Sequence, residues 1–231
     1  MDNTLFFCLI LITVAACTTT HPLMQSEKLA YSQNFDTKDA INGFEFTDPS
    51  VWRMSEDGKG SMALECFDLA TYEPEHRSPF AIGLISGHQF SSFVLEADLH
   101  QTGRIYGHQD MVVVFGFQDP SHFYYSHIAR EMDDHANNIF IVNGAPRTKI
   151  STKTNDGQDW KSWHRVKVER DLESGSIAIY FDDMKNPVMQ AVDKTFGAGS
   201  IGFGTFDDSG KIDNIRIWTD GHSQSQPQFY P

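Results

Sequence analysis

Six of the ten histidines fall between residues 88 and 135: His88, His100, His108, His122, His127 and His135. Arg104, Tyr106, Gln118, Tyr124, Tyr125 and Arg130 are interleaved with them. A site for a hydroxyl-rich ligand such as a sugar draws on these residue types. Aromatic faces cover C–H surfaces, and Arg, Asn, Gln and His bond to hydroxyls. Neutral His can accept a proton near pH 7, and Tyr can deliver one to a leaving oxygen. The spacing does not favour zinc. His122 and His127 point to opposite faces of one strand, and no H-E-x-x-H is present.

Two β-like runs position the centre of this set. Met111–Gln118 is apolar throughout, and His122–Arg130 follows after Asp119-Pro120-Ser121-His122, a good type I turn. With Pro120 and Ser121 at the turn centre, Phe117 is expected opposite Tyr124 and Gly116 opposite Tyr125. One face then carries Met111, Val113, Phe115, Phe117, Tyr124, Ser126 and Ile128, the bulkier set, and is assigned to the core. The other carries Val112, Val114, Gly116, Gln118, Phe123, Tyr125, His127 and Ala129, and is assigned to an open concave groove. A slip of one residue would exchange the two faces. On this assignment His127 and Tyr125 are the candidate proton-transfer residues. Gln118, Asn143 and Arg147 are candidates for orienting a sugar, Arg147 by a bidentate grip on a carboxylate or sulfate. Arg104 and His108 lie on a glycine-flanked loop at the groove edge.

The remaining elements are short and β-like. Met62–Asp68 alternates, and Phe80–Ser86 is a second run. Phe93, Leu95, Ala97 and Leu99 share one face of a third. Trp163–Arg170 places Val166 and Val168 inward, the DLESGS sequence over 171–176 reads as a hairpin turn, and Ile177, Ile179 and Phe181 return inward. Ser200–Phe206 and Lys211–Trp218 close the domain. No helix of three turns is predicted and no tandem repeat is found, so the expected class is a sandwich or barrel.

The chain has 231 residues, eighteen of them Phe, and a net charge of -13. That charge makes nucleic acid a poor partner. Leu5–Val14 (LFFCLILITV) is too short for a stable span and fits the apolar region of a signal peptide. Val14-Ala15-Ala16-Cys17 after it resembles a bacterial lipobox, although no Lys or Arg precedes the apolar run. The expectation is a signal peptide over 1–16, lipidation at Cys17 and a polar tether over 17–30. The domain follows over 31–219, with a loose tail over 220–231. Export, a membrane contact made through the lipid alone, and outer-membrane residence are expected. Cys66 would then be the one cysteine within the domain. It sits in an apolar alternation and reads as a core thiol.

Three segments resemble a known family: FSSFVLEADL, the Trp163–Val168 strand leading into SGSIAIYFDD, and the ending GSIGFGTFDDSGKIDNIRIW. From Phe93 to Trp218 the chain is similar to concanavalin A-like, laminin-G-like jelly rolls. Within them it is most similar to the domains named 3-keto-disaccharide hydrolases, common in bacterial lipoproteins. The resemblance implies an all-β, two-sheet antiparallel jelly-roll sandwich and an oligo- or polysaccharide partner. It implies cleavage of a glycosidic linkage by hydrolysis or elimination, or else binding of glycan without chemistry, or an envelope-structural role. No cofactor is implied beyond a structural calcium, for which Asp36 and Asp213 occupy the matching places and Asp207 and Asp208 lie nearby. The E-x-D-x-x-E pair of family 16 glycoside hydrolases is missing: Glu96-Ala97-Asp98 lacks the third acid.

Overall fold

The computed structural model describes residues 28–224 and Phe229. Within these residues the regular structure is strand, apart from two short 3-10 turns at Lys38–Gly43 and Pro49–Val51. The residues named for signal peptide and lipidation lie outside the described residues. No helix among the described residues is long and apolar enough to cross a membrane.

Two antiparallel sheets make a sandwich. The nine-stranded sheet runs in the order β12 (Ser151–Lys153), β15 (Met189–Val192), β14 (Ser176–Phe181), β13 (His164–Arg170), β7 (Phe93–Gln101), β17 (Gly210–Thr219), β4 (Met62–Cys66) and β3 (Trp52–Glu56). β1 (Lys28–Gln33) is added along β17. The seven-stranded sheet runs β11 (Thr148–Lys149), β10 (Asn138–Asn143), β9 (His122–Ala129), β8 (Asp110–Asp119), β16 (Ser200–Thr205), β5 (Ala81–Ile85) and β2 (Phe44–Phe46). The alternation read from sequence is realised in the core. Phe93, Leu95, Ala97 and Leu99 of β7 meet Val166 and Val168 of β13 and Ile177, Ile179 and Phe181 of β14 between the sheets. The 171–176 turn closes through Asp171 N–H to Ser176 O at 3.0 Å.

The seven-stranded sheet buries side chains on both faces. Met111, Val113, Phe115, Tyr124 and Ile128 enter the core between the sheets. Val112, Val114, Phe123 and Tyr125 join Ile82, Leu84, Phe140 and Phe206 in a second apolar cluster. Because strand side chains alternate, this second cluster lies on the outer face, turned away from the nine-stranded sheet.

Three expectations are corrected here. Asp119 pairs with His122 across the turn, as read, but Phe115 then pairs with Tyr124 and Val114 with Tyr125. A bulge between Phe115 and Asp119 inserts extra residues into β8, and Gly116 takes φ +59 there, a conformation costly for residues with a Cβ. The insertion turns Phe117 onto the outer face, so it leaves the core set in which alternation had placed it. Secondly, Lys28–Ala30 of the expected tether belong to β1, paired with β17. Thirdly, the expected loose tail is partly fixed. β18 (His222–Gln224) pairs with β6 (His88–Phe90), and Phe229 packs on Phe117 with ring centroids 5.4 Å apart.

Candidate functional site

The outer face opens into a cavity of about 500 Å³ at the end of β8, β9 and β10. His127, Phe140 and Phe206 form its base, with Tyr125 buried beneath. Tyr125 and His127 project from β9, Phe140 comes from β10, and Phe206 follows β16. Tyr125 stacks on Phe140 at 5.3 Å between centroids, and His127 meets Phe206 edge-on at 5.1 Å. Tyr125 and His127 share a face because they are two apart on one strand. Phe140 joins them because it is the cross-strand partner of Tyr125.

The base is tied together by a buried acid. Asp110 is 1% exposed; one of its carboxylate oxygens accepts from His127 Nε2 at 2.7 Å. The other accepts from Thr205 Oγ1 at 2.9 Å and Phe206 N at 3.4 Å. The backbone N–H of Asp110 donates to Asp208 Oδ2 at 2.9 Å, and Tyr106 OH donates to the same oxygen at 3.0 Å. With Asp110 as acceptor the proton sits on His127 Nε2, leaving Nδ1 as the basic nitrogen. That nitrogen is closed off from solvent and has no hydrogen-bond partner.

Arg147 forms the wall above. Its two terminal nitrogens donate to Tyr125 OH and to the His135 carbonyl, both at 3.0 Å. Its guanidinium carbon lies 4.7 Å from the centre of the Phe140 ring and 4.6 Å from that of Phe206. Arg77, from the loop between β4 and β5, approaches the Phe206 ring at 5.8 Å. Lys149 and His108 complete the rim, paired with Asp134 at 2.5 Å and Asp133 at 2.7 Å. Burial raises the Tyr125 phenol above its ordinary value, opposed by the neighbouring Arg147. Burial likewise lifts the Asp208 carboxyl to about 6, with Asp110 and Asp207 adding repulsion.

The cavity therefore gathers His127, Arg147 and His108 from the sequence candidates, with Tyr125 beneath Arg147. It does not gather the other three. Gln118 is exposed, and its side-chain amide bonds the carbonyls of Gly116 at 3.1 Å and Ala198 at 2.7 Å, because the β8 bulge carries it away. Asn143 is exposed at the far end of β10, opposite His122. Arg104 stacks on Tyr106 at 4.4 Å outside the cavity lining. Arg77, Asp110, Phe140 and Phe206 were not singled out from the sequence. The one signal for them was the Phe206-Asp207-Asp208 step at the end of the IGFGT strand.

Two groups of acids bear on the question of a hard cation. Asp36 and Asp213 are one. Asp213 is buried, no basic side chain among the described residues pairs with it, and its carboxyl is pushed to about 6 by burial, then by Asp98, Asp57 and Asp36. Among the described residues this pair is not part of any set of three ligand side chains close enough to share one ion, so the calcium expected there has no ligand set in the structure. Asp207 and Asp208 do not join it: with Asp110 they offer three oxygens within 4.8 Å of one another beside the cavity.

Several solved structures share this architecture. The carbohydrate-binding module CBM66 of Bacillus subtilis is 18% identical, with 75% of this chain and 93% of that one covered and a TM-score of 0.54. The Emp47p carbohydrate recognition domain is 12% identical over 84% and 96%, with a TM-score of 0.52. A Lotus tetragonolobus seed lectin is 11% identical over 85% and 100%, also with a TM-score of 0.52. No protein-family model and no curated protein matches the chain. The protein is a concanavalin A-like jelly roll, and at these identities the likeness is one of fold.

Proposed function

We propose that this domain binds carbohydrate in the cavity on its outer sheet face and does not cleave it. The observation that carries the reading is the state of the two groups able to move a proton. His127 spends Nε2 on Asp110 and has Nδ1 sealed, while Tyr125 is fully buried with its hydroxyl held by Arg147. A general base or acid must reach the ligand within hydrogen-bond distance, and neither group presents an atom that does so. What lines the cavity instead is a set of donors, Arg77, His108, Arg147 and Lys149, beside the acids Asp134 and Asp207, in a volume within the ordinary range for ligand sites. The carbohydrate-binding proteins that share the fold support the same reading. The domain is proposed to act at the bacterial outer membrane, exported and anchored by lipid on Cys17.

Cleavage in the manner of the 3-keto-disaccharide hydrolases is the second reading, favoured by one observation: His127 lies on the cavity lining with an acid directly behind it. Titration calorimetry of the purified protein against oligosaccharides, with a parallel assay for reducing ends or unsaturated products, separates the two. Saturable binding with no product is expected. Turnover abolished by His127→Gln would replace binding by cleavage, and no binding to any oligosaccharide would overturn both.

A further inference from the structure

The carbohydrate reading leaves open what kind of sugar the cavity takes, and its charge layout answers that. Sugars usually dock by laying a C–H face on an exposed aromatic ring. Here that surface is already used: Phe140 and Phe206 are 2% and 5% exposed, and the Arg147 guanidinium lies over both. A neutral pyranose would find little aromatic face to cover. What the wall offers is N–H.

The orientation of Arg147 is set by a phenol oxygen and a backbone carbonyl. Both acceptors are neutral, so they fix the fork without cancelling its charge. A guanidinium carries five donors, and these two bonds spend two of them. Arg77 brings a second guanidinium to the same Phe206 ring and has no ion pair among the described residues. The acids on the lining are engaged with other groups. Asp134 is paired with Lys149, Asp110 serves His127 and Thr205, and Asp207 accepts from Tyr106 OH at 3.3 Å. In a chain with a net charge of -13, two like charges are thus held near one ring, neither of them in a salt bridge among the described residues.

We propose that Arg147 and Arg77 form a clasp for the anionic group of an acidic saccharide, a uronate carboxylate or a sulfate ester, and that this group is what the cavity selects. Arg147 supplies the oriented fork. Arg77, on an exposed loop, supplies the second charge. The inference rests on the carbohydrate reading above.

The test uses the purified protein and trisaccharides of galacturonate, mannuronate, glucuronate and sulfated galactose. Each is measured by calorimetry beside its methyl-esterified or desulfated form. At least one acidic sugar is expected to bind about tenfold or more tightly than its neutral form, since charge-assisted hydrogen bonds contribute on that scale. That preference should shrink as salt rises. Arg77→Gln, which removes no side-chain hydrogen bond among the described residues, should cut that preference about tenfold. Arg147→Lys should weaken the acid as well, since it keeps the charge and loses the fork, and Asp207→Asn should tighten it. Equal affinity for acidic and neutral forms would overturn the clasp and leave carbohydrate binding standing. An acid preference unmoved by Arg77→Gln and Arg147→Lys would also overturn it. Failure of every sugar, neutral and acidic, would remove the carbohydrate reading itself. If sulfated sugars bind and uronates do not, or the reverse, the clasp holds and the anion is identified.

Discussion

Replacing Asp110 by Ala tests whether the acid beneath the cavity is an architectural tie. Its two carboxylate oxygens accept from His127 Nε2 at 2.7 Å, Thr205 Oγ1 at 2.9 Å and, weakly, Phe206 N at 3.4 Å. Asp110→Ala would strand a buried imidazole N–H and a buried hydroxyl, each costing roughly 1–3 kcal/mol when left unpaired. The expected loss for the two stranded groups is therefore about 2–6 kcal/mol, a large share of the roughly 5–15 kcal/mol a domain has in hand. Asp110→Asn keeps an acceptor for Thr205 and Phe206 and should cost roughly 1–2 kcal/mol. Urea unfolding followed by tryptophan fluorescence gives these values, provided the denaturant slope is unchanged. A double-mutant cycle with His127→Phe isolates the pair, and a coupling of roughly 1–3 kcal/mol is expected. A loss below about 1 kcal/mol for Asp110→Ala, or additive effects in the cycle, would refute the idea that this acid holds the cavity base together.

Other consequences are independent of that one. Gly116→Ala places a Cβ at positive φ and 3.1 Å from Tyr124 Cδ2, and should destabilise by roughly 1–2 kcal/mol, whereas Gly197→Ala, with nothing within 4 Å, should not; paired thermal melts compare them. The Asp208 carboxyl, raised to about 6 by burial, binds its proton more tightly folded than unfolded. Its unfavourable contribution is complete above about pH 6 and disappears as pH falls toward the unfolded value near 4, so Asp208→Asn should flatten that part of the stability–pH curve. His88 carries the opposite sign: burial and His222, 2.7 Å away, lower its value. Its neutral-form stabilisation is therefore lost as pH falls below about 6.5, and hydrogen exchange in β18 should speed up there unless His88→Gln is present. The Cys66 thiol, pushed to about 12 by burial, should resist iodoacetamide until the protein unfolds. Intact-mass analysis of membrane fractions should show a lipid adduct that Cys17→Ser removes, and a soluble, unmodified wild type would end the anchoring proposal.

The sandwich could be read from the sequence where a strand has one buried face and its turn is built from local residues. β7 and β14 alternate cleanly, and the turn between β13 and β14 closes on its own Asp171. The β8–β9 hairpin shows the boundary of that method. Its turn was legible in Asp119-Pro120-Ser121-His122, whose Asp119 side chain accepts from Ser121 N at 2.8 Å. The bulge was not, because every residue from Met111 to Phe117 is apolar or glycine and both faces of the strand are buried. With no polar face to mark phase, a shift of register leaves no trace in composition. Gly116 was the available mark: its positive φ sits at the point where Phe117 turns onto the other face.

The site divides along the same line. Tyr125 and His127 come out on one face because two positions apart on one strand share a face whatever the rest of the chain does. Arg147 reaches them from the loop that follows β10, the strand paired with theirs. Arg77, Asp110 and Phe206 depend on where distant segments meet: the Asp110–Thr205 bond joins residues 95 apart, and no local pattern encodes it. Those distant residues also change what the near ones do. Asp110 ties down His127 through Nε2, and Phe206 with Phe140 lies beneath the guanidinium that would otherwise lie beside an open aromatic platform. Residues that looked like proton-transfer machinery in one dimension become the fixed base of a charged wall in three. This arrangement is what the proposed recognition role rests on, since a fixed charge can select a ligand without moving a proton.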